Sequence, residues 1–207
     1  MRKKLSTMMA TAAAVALFSS VTPAEAASKQ FSDVSVDHMF HDEIISLADL
    51  GVIAGFPDGS FKPEAPVTRE QAAILIANAL ELDLDYIDNP NFSDVPETHM
   101  FYKQIAAVQN NGIMNGYGDG KFGPSNTLTR AEVASILTRA YNLTEQKNTP
   151  FTDVPATEWF AGSVGALYTN EITSGTSETT FSPKGTVTRG QIAAFLYRSY
   201  ETTLPWE

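Results

Sequence analysis

Apolar residues recur along this chain at helical spacing in six short stretches, and the six fall into three matching pairs. Phe40, Ile44 and Leu47 stand four and three apart; Phe101, Ile105, Val108 and Phe160, Val164, Leu167 repeat the stripe. The second stretch of each pair reads Ala72, Leu75, Ile76, Ala79, then Val133, Ile136, Leu137, Ala140, then Ile192, Phe195, Leu196. Asp37, Thr98 and Thr157 are the expected N-caps of the first helices, and Gly51 and Gly112 their left-handed stops. Glu171 replaces that glycine in the third copy, which predicts a helix ending one residue early, at Asn170. The second helices are predicted to open at Thr68, Thr129 and Thr188, each followed three residues on by Gln71, Glu132 or Gln191, a capping box in every copy.

The pairs belong to repeated units. Phe31-Ser32-Asp33-Val34, Phe92-Ser93-Asp94-Val95 and Phe151-Thr152-Asp153-Val154 open them, and Thr68-Arg69, Thr129-Arg130 and Thr188-Arg189 lie near their ends. Both landmarks shift by 61 residues from the first unit to the second and by 59 from the second to the third, so whole units are repeated and length changes are confined to the joints. Between the helices of each unit sits a tight loop, Gly55 to Gly59, Gly116 to Gly120 and, more loosely, Gly175 to Thr179. Phe61, Phe122 and Phe181 follow as aromatics able to plug a core, with Pro63, Pro124 and Pro183 stiffening the exit. A unit of this size exposes much of its apolar surface alone, whereas three supply one shared core. The predicted organisation is 27–80 for the first unit, 81–91 for a linker, 92–141 for the second, 142–150 for a linker, 151–200 for the third, and 201–207 for a short tail.

The N-terminus changes the picture. Arg2, Lys3 and Lys4 precede an apolar run from Met8 to Phe18, and Ala24-Glu25-Ala26 offers a small-x-small cleavage site, so residues 1–26 read as a secretory signal peptide. The run is shorter than the ~20 residues of a membrane-spanning helix. Loss of Arg2, Lys3, Lys4 and Glu25 moves the formal charge from −10 to −12, too acidic for a broad nucleic-acid or anionic-lipid surface. There is no cysteine, hence no disulfide, thiolate metal site or lipid-bearing cysteine, and the tail Leu204-Pro205-Trp206-Glu207 is not a covalent sorting signal. Any attachment to the cell is expected to be non-covalent.

The second unit, from Phe92 through Gly112-Ile113-Met114-Asn115-Gly116-Tyr117-Gly118-Asp119-Gly120 to Thr129-Arg130-Ala131-Glu132, closely resembles the S-layer homology (SLH) repeat, and the resemblance runs over roughly residues 31–200. It implies a mainly α fold in which three helix-loop-helix SLH repeats pack as a pseudo-threefold single-chain trimer around a central helical bundle, with grooves between neighbours. It further implies a secreted protein associated with the cell wall or S-layer, held by binding secondary cell-wall polysaccharide, often through a pyruvate ketal. Other S-layer or surface proteins are the further partners it suggests; nucleic acid and membrane insertion after signal cleavage are not expected. The alternative is a surface protein–protein or S-layer assembly module without direct glycan binding.

The residues carry their own chemical argument. Arg69, Arg130 and Arg189 stand at the first position of a predicted helix, where free N–H groups and the positive dipole end favour an anion and a guanidinium fork suits a carboxylate. Each could equally pair with an acidic neighbour or stack on a loop aromatic. The loop glycines Gly55 and Gly116, the loop aromatics Phe56 and Tyr117, and Trp159 complete the candidate glycan site; the third loop has Thr176 in place of an aromatic. The position of Trp159 is held by Met39 and Met100 in the other units, where methionine is ordinarily core filler. Gly190 follows Arg189 and weakens its helix, so the grooves of Arg130 and Arg69 are expected to be the stronger ones. Asp33, Asp94 and Asp153 suit capping of local backbone N–H groups better than ligand binding. Asp83, Asp85 and Asp88 lack the glycine and glutamate of a calcium loop, and no acid–base pair, nucleophile motif or cofactor site is recognisable, so neither enzyme activity nor a cofactor is expected.

Overall fold

A computed structural model describes residues 30–144 and 147–202; the signal peptide assigned to 1–26 and most of the tail lie outside them. The described residues form six helices: α1 (His41–Asp49), α2 (Arg69–Ala79), α3 (Tyr102–Asn110), α4 (Arg130–Ala140), α5 (Ala161–Thr169) and α6 (Arg189–Glu201). They contain isolated β-bridges but no strand. The fold is mainly α, with the three units arranged about a pseudo-threefold axis.

The two helices of a unit are not the ones that pair. α3 of the second unit packs on α2 of the first, α5 of the third on α4 of the second, and α1 of the first on α6 of the third, while α6 also touches α2 and α4. Each inner helix is therefore covered by the outer helix of the following unit, and the last unit closes back on the first. What ties the units at the axis is a ring of backbone hydrogen bonds just before the inner helices. The Val67 N–H donates to the Val187 carbonyl (2.9 Å), Val187 N–H to Leu128 (2.9 Å), and Leu128 N–H to Val67 (3.3 Å). All three side chains are fully buried. Buried N–H groups in these short extended segments need partners, and each finds its own only in another unit.

Within a unit, the opening aspartate shapes the loop. Asp33 accepts the N–H groups of Phe61 and Lys62, Asp94 those of Phe122 and Gly123, and Asp153 those of Phe181 and Ser182, all at 2.7–2.8 Å. The structural role expected for these carboxylates holds, though the groups they cap lie across the unit rather than locally. Lys62, Gly123 and Ser182 have φ of 59°, 70° and 58°, so the aspartate fixes a left-handed residue in each copy. Phe61, Phe122 and Phe181 are fully buried, each packed against the opening Phe31, Phe92 or Phe151 of its own unit.

Two expectations about helix ends need correction. The outer helices begin at His41, Tyr102 and Ala161, later than Asp37, Thr98 and Thr157 would cap, and the Phe40, Phe101 and Phe160 that precede them make no side-chain cap. The intervening residues form turns that bring the aromatic onto the core. His38 Nδ1 accepts the Phe40 N–H at 3.1 Å and His99 Nδ1 the Phe101 N–H at 3.2 Å, which replaces a conventional cap in the first two units. The capping boxes of α2, α4 and α6 are present as predicted. At the other end, α5 does not stop early: it ends in register with α1 and α3, and Glu171 takes up φ 58° where Gly51 and Gly112 have 76° and 68°. Helix packing imposes the turn and the exposed glutamate accepts it. An L-residue in this conformation costs about 1–2 kcal/mol, partly offset in a glycine variant by unfolded-chain entropy. Glu171→Gly is thus expected to raise stability by about 0.5–1 kcal/mol in urea denaturation.

Candidate functional site

The three arginines stand at the first turn of the inner helices, as the sequence indicates, but their backbone donors are occupied. Arg69 N–H donates to the Asn126 carbonyl, Glu70 N–H to Pro124, and Gln71 N–H to the Thr68 hydroxyl. Arg130 and Ala131 donate to Gly185 and Pro183; Arg189 and Gly190 donate to Ala65 and Pro63. The expectation of free helix-tip N–H groups for an anion is therefore wrong: the exit of the next unit's loop takes them. Any anion recognition has to come from side chains.

Each guanidinium follows the same crossing. Arg69 Nε donates to the Phe122 carbonyl (2.8 Å) and an η nitrogen to the Asn115 carbonyl (2.7 Å) of the second unit. Arg130 Nε reaches Phe181 of the third unit (2.7 Å), and Arg189 Nε reaches Phe61 of the first (2.8 Å). None of the three forms an ion pair with a carboxylate among the described residues. Stacking does occur: the Arg69 guanidinium carbon is 4.7 Å from the ring centres of both Tyr117 and Phe122, and that of Arg189 is 4.9 and 4.6 Å from Phe56 and Phe61. Arg130 meets Phe181 at 4.6 Å and, in place of a loop aromatic, Phe195 of α6 at 5.2 Å. Phe195 fills the role Thr176 leaves open. The signal for it was an aromatic at the helix position held by Leu75 and Ile136 in the other copies. Burial pulls the Arg130 and Arg189 guanidinium pKa below the ordinary value, opposed by the nearby Asp153 and Asp33 respectively; both stay charged at neutral pH.

The candidate residues are brought together unequally. A cleft of about 150 Å³ beside α4 is lined by Arg69 at the start of α2 and by Trp159 just ahead of α5, with Asn115, Glu132, Ser135 and Arg139 around them. Arg139 was not singled out from sequence. Its Nε donates to the Ile113 carbonyl at 2.8 Å, and burial, reinforced by the positive charge of Arg69, pulls its pKa down. A larger cleft of about 500 Å³, bounded by Leu50, Val52, Leu82 and Tyr200, holds no arginine. Trp159 is 67% exposed, and its counterparts Met39 and Met100 are 76% and 84% exposed. These methionines are not core filler. They are surface knobs at the same place in each unit.

Gly55 and Gly116 serve the loop. A Cβ on Gly55 would lie 2.6 Å from the Phe31 ring and 2.7 Å from the Ser60 carbonyl; on Gly116 it would lie 2.6 Å from Phe92 and 2.5 Å from the Lys121 carbonyl. Both let the loop close over the opening aromatic of their own unit. Gly190 likewise answers a packing need, since a Cβ there would meet the Phe40 ring at 2.9 Å. The Phe56 ring carries Lys62 at 4.1 Å, and Tyr117, 49% exposed, accepts a hydrogen bond from Asn126.

Three repeats closed into a ring by inter-unit arginines define a class of tandem-repeat module, and comparison with known sequences gives the class its name. The S-layer homology domain model matches residues 30–73, 91–134 and 150–193. The chain belongs to the S-layer homology domain family. It is 34% identical over 183 residues, 86% of its length, to the S-layer protein of Bacillus thuringiensis subsp. finitimus, and equally to the S-layer protein sap of Bacillus anthracis. An uncharacterized cell wall amidase of Bacillus anthracis is 36% identical over 146 residues, covering 69% of this chain and 27% of the amidase. The chain spans 22% of the length of each of the two S-layer proteins. Membership of this family puts the protein at the cell surface, and among the described residues no helix is long and apolar enough to cross a membrane.

The seat of Arg69 depends on Asp94, which fixes the Phe122 peptide. Burial raises the Asp94 pKa, but the N–H donors of Phe122 and Gly123 outweigh it and hold the carboxyl below its ordinary 3.8. Its contribution is complete above that value and is lost as pH falls through the lower folded value. Asp94→Ala is expected to cost about 2–3 kcal/mol in urea denaturation at pH 7. Asp94→Asn should flatten the loss of stability between pH 4 and acid, measured by the same melts across pH.

Proposed function

We propose that the protein anchors non-covalently to the cell wall by binding secondary cell-wall polysaccharide in the grooves between repeats, through a carboxylate-bearing sugar such as a pyruvate ketal. The observation that carries this reading is the cleft that combines the Arg69 guanidinium, held without an acidic partner, with the exposed indole of Trp159. A fixed guanidinium suits a carboxylate and a flat exposed ring suits the apolar face of a sugar. Arg130 and Arg189 occupy the corresponding places in the other two grooves, with Phe56 and Tyr117 as ring platforms under Arg189 and Arg69. The S-layer proteins and the amidase that share these repeats are far longer than this chain, as expected of a module that attaches varied cargo to one surface.

Such a module is expected to co-sediment with purified walls, to lose that binding when the non-peptidoglycan polysaccharide is extracted, and to weaken at least about tenfold on Arg69→Ala or Trp159→Ala. Binding that survives complete extraction, and ignores both substitutions, would identify a protein–protein module instead.

A further inference from the structure

The three grooves are internal copies of one another, and comparing them isolates what is special to one. Nine residues after each cap arginine, the inner helices carry Asn78, Arg139 and Arg198. Asn78 Nδ2 donates to the Val52 carbonyl at 3.1 Å, the counterpart of the bond from Arg139 Nε to Ile113 at 2.8 Å, so an asparagine holds this carbonyl but brings no charge. Arg198 is charged, yet an η nitrogen lies 2.8 Å from the Glu43 carboxylate of α1. The position of Glu43 is Ser163 in the helix facing Arg139, and Arg139 forms no ion pair among the described residues.

Arg139 therefore enters its cleft charged, partly desolvated and beside a second guanidinium, that of Arg69. The one carboxylate in the cleft, Glu132, turns its Oε2 to the Thr129 N–H and hydroxyl, both at 2.8 Å, and forms an ion pair with neither arginine among the described residues. Two like charges sharing a small cleft with no acid bound to either repel each other, and an incoming anion relieves that repulsion. In the Arg198 groove Glu43 already does so, and in the Asn78 groove the second charge is missing.

We propose that Arg139 is a specificity-determining residue that, with Arg69, brackets the acid group of a single glycan ligand, so that the groove of Arg69, Arg139 and Trp159 is the one high-affinity carboxylate site of the three. This rests on the function proposed above and adds which groove and which second cation. Units one, two and three contribute Arg69, Arg139 and Trp159 respectively, so the site exists only in the assembled protein.

The test is calorimetric titration of the mature chain with a pyruvylated methyl hexoside and with its pyruvate-free parent. One tight site per chain is expected. Arg139→Asn, which keeps the carbonyl tie as Asn78 does, is expected to weaken the pyruvylated sugar about tenfold or more while leaving the parent sugar nearly unaffected. Arg198→Asn is expected to change neither. That carboxylate-dependent loss is a readout a merely structural arginine would not move. In a Trp206→Phe chain, saturation should shift the emission of Trp159, a measurement that needs no change at Arg139. Three equal sites, an unaltered affinity in Arg139→Asn, or a silent Trp159 would overturn the inference and leave wall anchoring standing. No preference for the pyruvylated sugar in the unaltered chain would overturn the carboxylate reading itself.

Discussion

Just before each inner helix, a short extended segment places buried N–H groups where its own unit offers no acceptor. Val67, Leu128 and Val187 resolve this by donating to one another in a closed ring, and the first two N–H groups of each inner helix go to the carbonyls of the next unit's loop exit. Leaving a buried donor unpaired costs about 1–3 kcal/mol, and this arrangement has nine such groups to satisfy. Two units would leave the ring open. Three close it, and the pseudo-threefold architecture follows from that closure more than from any helix–helix preference.

The same crossing makes the site. An arginine at the first helical position, whose backbone is tied to the neighbouring loop, has its side chain delivered to that neighbour's core aromatic and carbonyl. Phe122, Phe181 and Phe61 thus each have two tasks, filling the core of their unit and seating an arginine from another. The guanidinium is held by its Nε hydrogen bond and by two ring contacts, all of them with parts that also hold the fold. Asp94 illustrates the coupling, since it aims the Phe122 peptide that Arg69 grips.

Much of this was legible in the sequence. Periodicity located all six helices, the Thr-x-x-Glu/Gln pattern fixed the start of the inner ones, and Phe61, Phe122 and Phe181 were recognisable as core plugs because a phenylalanine recurs in all three copies two residues before the exit proline, whereas the loop aromatics Phe56 and Tyr117 have Thr176 as their third counterpart. What could not be read was which unit each residue serves. Capping boxes look the same whether the first-turn N–H groups are free or bound to another unit, so the expected anion nest was wrong. The outer-helix caps were misplaced because Asp37 and Thr98 are good caps locally, whereas burial of Phe40 and Phe101 demands a turn first, with His38 and His99 supplying the acceptor. Arg139 was overlooked because an arginine late in a helix is unremarkable until Arg69 arrives beside it from another unit.

Divergence among the copies follows from this division of labour. The threonine caps, the cap arginines and the opening aspartates, which fix the starts of the inner helices, the crossings between units and the loops those crossings grip, recur unchanged in all three units. Residues that line only the groove are freer, and they differ: Trp159 against Met39 and Met100, Arg139 against Asn78, Ser163 against Glu43. A groove that does not bind still carries its share of the closure, because Arg189 and Arg130 hold Phe61 and Phe181 whatever surrounds them. Arg69, Arg139 and Trp159 meet only when all three units are closed, so a ligand held among them stabilises the closed form by mass action. On the proposed function, anchoring and folding would reinforce each other: a glycan bound there would hold both the protein to the wall and the ring of units shut.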